Sequence, residues 1–207
     1  MSEPQHFEKD LAEIRSLMEK SVKFISLSGL SGILAGVYAL MGAAAAYFLA
    51  HLPMSRMEYS DGYAMNINIA AKLVLIAVLV LVSSLITGFA LSARKAKSQG
   101  TVMWNATAKR LVVNLAIPLV TGGIFILLLV SQGHYSLLTP AFLVFYGLAL
   151  INASSHLYDE VRYLAYSEIV LGLIATALPG YGLLFWTIGF GVFHLFYGSL
   201  MYRKYDR

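Results

Sequence analysis

The chain has 207 residues, a formal net charge of +4 and no cysteine. Its apolar share is 58% and its charged share 13%, against roughly 45–50% and about 25% in soluble domains. A soluble fold is thereby excluded, and lipid is the solvent for most of the protein. The missing thiols also remove disulfides, thiolate zinc sites, iron–sulfur clusters and cysteine nucleophiles.

Residues 5–22 come first. Phe7, Leu11, Ile14, Met18 and Val22 form one apolar stripe at helical spacing, with Glu8, Lys9, Glu13, Arg15, Glu19 and Lys20 on the other faces. This predicts an amphipathic helix over 1–22, ahead of a transmembrane domain over 23–207. Such a helix lies on the membrane surface or leads into the first span; the sharper reading is a docking element for a second copy of the chain or a membrane partner. The mixture of acids and bases marks a retained N-terminus, since cleaved leaders have an acid-poor head.

Six apolar runs follow. A hydrocarbon core about 30 Å thick needs about 20 residues of helix, and the runs Phe24–Leu49, Ile67–Leu91, Leu111–Val130, Ala141–Leu157, Val161–Leu178 and Leu183–Tyr202 meet that need. The run 72–82 lacks the alternation of a barrel strand, so helices satisfy the backbone. The expected fold is an all-α, polytopic membrane bundle of six transmembrane helices. Pro140 suits the first turn of the fourth helix, and Pro179-Gly180 signals a turn between the last two. Pro118 withdraws a donor from the carbonyl of Asn114 and predicts a kink in the third helix.

Charge sets the orientation. All fifteen Lys and Arg residues except Arg56 and Lys72 fall at one side of this drawing, which places both termini in the cytoplasm. Trp104, Tyr158, Tyr163, Tyr202 and Tyr205 form an aromatic belt there, and Tyr181 and Trp186 mark the opposite interface. The bases therefore belong to a lipid bilayer surface and not to nucleic acid. The compact design and retained N-terminus point to a bacterial cytoplasmic (inner) membrane. Small residues and charges recur at similar places, as in three tandem hairpins over 23–97, 104–160 and 161–204.

The stretch Glu13–Tyr38 (EIRSLMEKSVKFISLSGLSGILAGVY) resembles the start of small, uncharacterised six-span bacterial inner-membrane proteins. The last hairpin, with Gly172, Pro179, Gly189 and Gly198, is distantly similar to acid-resistance membrane proteins built from repeated hairpins. The resemblance implies the fold and brings no catalytic residues with it.

Ionisable groups inside a span cost about 2.5–3.5 kcal/mol to insert and call for a partner, a cavity or a function. Glu168 lies about 10 Å, and His194 about 12 Å, below the basic-side interface at about 1.5 Å per residue. Their helices are joined by a tight turn, so the two are expected to meet. Asn114, Asn152 and His156 fall on neighbouring faces. With Ser83, Ser84, Thr87, Thr121 and Thr187, they are expected to line a polar pocket open to the cytoplasm.

The resulting expectation is a small transporter, channel-like or sensor protein that binds a proton, an ion or a small solute, with Glu168 titrating and His194 as its partner. The plain structural reading makes the pair a buried clasp and the Ser, Thr and Asn residues helix-to-helix ties. A non-catalytic accessory, assembly or regulatory subunit of a membrane complex is the main alternative. A metal or haem enzyme using His156, His194, Glu168 or Asp159 comes third, because no His-x-x-x-His or His-Glu-x-x-His spacing supports it. No cofactor is expected, and Ser154 and Ser155 lack a nucleophile elbow. His51, Met54, Met57 and Met65 offer soft ligands for Cu(I), with interfacial anchoring as the plainer account. Gly29, Gly32 and Gly36 form a small-residue face suited to close packing within the bundle.

Overall fold

The computed structural model describes residues 28–49, 67–100, 102–155 and 157–206, and all regular structure among them is helical. The helix expected over 1–22 and the loop holding His51, Met54, Met57 and Met65 lie outside the described residues. The elements are α1 (Gly29–Leu49), α2 (Ile67–Ser98), α3 (Ala106–Ser131), α4 (Leu138–Ser154), α5 (Asp159–Ala177) and α6 (Gly182–Asp206). A single 3-10 turn, Tyr135–Leu137, leads into α4. Helices α1 to α4 and α6 are long and apolar enough to cross a membrane. Helix α5 is similar in length but carries Asp159, Glu160, Arg162 and Glu168.

The helix ends show why several elements outrun their apolar cores. Asn105 caps α3 by accepting the Ala108 N–H at 2.8 Å, which starts the helix ahead of Leu111. Helix α2 continues to Ser98 with Lys95 and Lys97 in its last turn, where cations favour the exposed carbonyls. Pro140 sits in the first turn of α4, as expected. The Pro179-Gly180 turn places Gly180 at φ +98°, a conformation that side chains resist.

Helices here meet at glycines, because lipid supplies no hydrophobic drive between them and close backbone approach must hold them. Gly29, Gly32 and Gly36 of α1 face α6. A Cβ at Gly198 would stand 2.3 Å from the Ile33 nitrogen, and one at Gly36 would stand 2.8 Å from the Leu195 nitrogen. Gly147 and Gly172 bring α4 and α5 together, and Gly122 admits Phe145 between α3 and α4. Helix α6 packs more extensively on α1 than on α5, its neighbour in sequence.

Charge gathers at one end. Asp206 accepts from Lys95 Nζ at 2.6 Å, from Ser28 Oγ at 2.9 Å and from the Gly29 N–H at 2.7 Å. The end of α6 thus caps the start of α1 and pairs with the end of α2. Lys204 pairs with Glu160, which also accepts from the Tyr205 hydroxyl at 3.0 Å. Tyr158 stacks on Tyr205 with centroids 4.0 Å apart. Glu160 precedes the apolar part of α5. Partial burial pushes its carboxyl up, but the bonds from Lys204 and Tyr205 outweigh this and hold it below the usual carboxylate range.

Two outcomes follow. Gly198→Ala should destabilise the bundle by about 1–3 kcal/mol through overpacking, whereas Gly123→Ala, with nothing within 4 Å of its Cβ, should be neutral in the same thermal or SDS unfolding measurement. Glu160 has a depressed folded pKa, so its contribution is complete above the unfolded value of about 4.3. The contribution is lost as pH falls through the folded value. Wild type should therefore melt above Glu160→Gln at pH 7, and the two curves should converge in acid.

Candidate functional site

Helix α6 widens in its middle. Thr187–Phe193 winds as a π-helix, a local expansion often found at functional positions, and His194 follows it directly. The His194 Nδ1 lies 3.1 Å from the Gly189 carbonyl, which only accepts, so Nδ1 carries the proton. Nε2 is then free to accept from the Tyr146 hydroxyl of α4 at 2.7 Å. Phe190 and Trp186 extend this set of rings along α6, with Tyr146–Phe190 centroids 5.2 Å apart and Trp186–Phe190 centroids 5.4 Å apart.

Glu168 of α5 comes to the other side of the imidazole. Its Oε1 lies 3.6 Å from Nδ1, close enough for charge to be felt and too far for a hydrogen bond. The side chain is 0% exposed, and neither carboxyl oxygen has a hydrogen-bond partner among the described residues. Gly189 makes the space: a Cβ there would stand 2.6 Å from Glu168 Oε2 and 2.5 Å from Leu143 Cδ2. A carboxylate charge without donors in such a setting is costly, so the group requires a proton, or a cation nearby, to complete it. The Tyr197 hydroxyl, one turn beyond His194, is likewise buried without a partner.

The other expected site residues are placed elsewhere. Asn114 and Asn152 meet each other: the Asn152 side-chain amide donates to the Asn114 backbone carbonyl at 2.8 Å. That carbonyl would ordinarily accept from the residue four positions on, which is Pro118 and has no N–H. Asn152 supplies the donor that proline removes, so the two asparagines clasp α3 to α4. His156 lies outside the described residues.

Four of the small hydroxyls find acceptors close by. Ser84, Thr121 and Thr187 donate to the carbonyls of Val80, Ile117 and Leu183, one turn back. Thr87 bonds the Tyr38 hydroxyl at 3.1 Å. Among the described residues, no three His, Asp or Glu side chains converge as metal ligands.

The space beside His194 is a largely apolar cavity of about 280 Å³, with Ser84 among its lining. Phe145, Trp186 and Phe190 wall it, and Tyr146 and His194 close its deep end. Val78 and Leu81 of α2 and Leu127 of α3 line it while being 47%, 41% and 57% exposed. The cavity thus opens between α2 and α3 onto the apolar outer surface of the bundle. Trp186, expected at an interface, stands in this wall.

Tyr146, Gly189 and the π-helical turn were not legible from residue spacing. Two signals were present: a tyrosine deep inside a span and away from either belt, and the pair Gly189 and Gly191 within one apolar run. Comparison of the chain with protein-family models, curated proteins and solved structures gives no match.

A double-mutant cycle checks the asparagine clasp. Asn152→Ala should cost about 0.6 kcal/mol or more, and the cost should vanish in a Pro118→Ala background, where residue 118 donates to Asn114 itself. Equal costs in both backgrounds would remove the clasp.

Proposed function

We propose that the chain is a six-span protein of a bacterial cytoplasmic membrane, with both termini cytoplasmic, that works as a small proton-linked transporter or sensor. Glu168 is the group that takes and gives the proton, His194 and Tyr146 connect it to the cavity, and the solute occupies the cavity from the lipid side. The gathering of Lys95, Lys204, Glu160 and Asp206 at one end of the bundle supports the common side for the basic connections.

One observation carries the reading: a wholly buried carboxyl with two unpartnered oxygens stands 3.6 Å from a histidine that borders an open cavity. A clasp that served packing alone would satisfy its own hydrogen bonds, as Asn152 does. Buried polar groups left incomplete are those to be completed during function.

The second reading is an accessory subunit. It draws on α2, whose Leu75, Leu79, Leu85, Ile86 and Phe89 are all exposed, a face that a second membrane chain covers as well as lipid does. A copurifying chain that crosslinks to this face would move the assignment there.

Infrared difference spectroscopy on the protein in lipid tests the proton site directly. A protonated-carboxyl band should change with pH in wild type and be missing in Glu168→Gln, with helicity unchanged. Retention of the band in that variant would remove Glu168 from the role.

A further inference from the structure

We propose that the cavity between α2 and α3 takes a lipophilic organic cation bearing one or two aromatic rings, admitted from the lipid, and that Glu168 balances its charge. The inference rests on the reading of Glu168 as the proton site and names the class of solute.

Size comes first. A dry cavity of about 150 Å³ holds one benzene ring, and this one has about 280 Å³, enough for a ring with a bulky head or for two rings. Access is lateral, past Val78, Leu81 and Leu127, so the solute must partition into hydrocarbon before it binds. The wall then selects the sign of charge. Phe145, Trp186, Phe190 and Tyr146 border the space, and aromatic faces attract cations.

No lysine, arginine, aspartate or glutamate lines the cavity. The titratable groups at its deep end are His194 of α6 and Tyr146 of α4, and Glu168 of α5 stands behind the imidazole. Tyr197 is the next titratable group along α6, and α1, α2 and α3 add none to the lining. An acyl chain would fill the walls and leave the carboxyl incomplete. An anion would meet ring faces and a carboxyl together. A cation answers both features.

Charge balance follows from the same geometry. As the cation enters, the O–H bond of Glu168 breaks and its proton passes to water, so the occupied site carries no more net charge into the hydrocarbon than the protonated one. Binding in one direction and reprotonation in the other make an exchange of cation for proton.

The experiment uses the full chain in phosphatidylcholine nanodiscs, with protein-free nanodiscs as the blank. The probes are dibenzyldimethylammonium and its neutral carbon isostere, 2,2-dimethyl-1,3-diphenylpropane. Calorimetry should show saturable binding at least tenfold tighter for the cation, with release of about one proton per cation in weak buffer. Glu168→Gln should lose both the preference and the proton. Equal affinity for the two probes, or cation binding without proton release in wild type, would overturn the proposal without recourse to any variant. A retained phospholipid that neither probe displaces would overturn it too. If the Glu168 carboxyl band responds to pH while the cation fails to bind, the solute class is wrong and the proton site stands; if the band is also silent, both readings fall.

Discussion

The close approach of α1 and α6 at Gly32 and Gly198 positions the helix on which the site depends. A Cβ at Gly32 would stand 3.0 Å from the Gly198 Cα, so the backbones touch with no side chain between them. That contact sets the register of α6. His194 lies one helical turn before Gly198 and is turned toward α4 and α5, where Tyr146 and Glu168 meet it. The π-helical turn of Thr187–Phe193 then directs the Gly189 carbonyl to Nδ1 and leaves room for the carboxyl. A side chain at Gly32 or Gly198 would act on the site through the backbone, and one at Gly189 would meet the Glu168 carboxyl directly.

The molecule treats its polar groups in two ways, and the contrast separates packing from chemistry. At the charged end Asp206 has Lys95, Ser28 and Gly29 as donors, and Glu160 has Lys204 and Tyr205. Within the apolar band Ser84, Thr121 and Thr187 return to their own helices, Thr87 meets Tyr38, and Asn152 repairs the gap that Pro118 leaves. Against this economy Glu168 and Tyr197 stand out as incomplete. Incompleteness in a place where water is scarce is expensive, and it lies beside the cavity that reaches the lipid-facing surface.

Much of the architecture was legible because the bilayer imposes a length and a polarity on each helix. Ile67 begins α2 and Leu49 ends α1 where the apolar runs do. Helix α3 starts earlier than its apolar run because Asn105 caps it, and α2 runs on to Ser98 with cations in its last turn, whereas α4 stops at Ser154, three residues before its expected end. The pairing of Glu168 with His194 could be anticipated from equal depth on helices joined by a tight turn. The bonds of Ser84, Thr121 and Thr187 to carbonyls one turn back could not be read from spacing, because a hydroxyl in an apolar helix has that acceptor on its own helix.

The amino-acid sequence by itself determined the apolar character of the helices, the number and extent of the apolar runs and the positions of the ionisable residues along them. These follow from composition and from a fixed rise per residue, and they need no knowledge of neighbours. Only the tertiary structure decided that α6 rests on α1, that Tyr146 completes the histidine, that Asn152 serves Asn114, and that the cavity is largely apolar and opens between α2 and α3. Each of these depends on which helix faces come together. In a bundle held by close backbone contact, that choice rests on complementary glycines and side chains far apart in the chain.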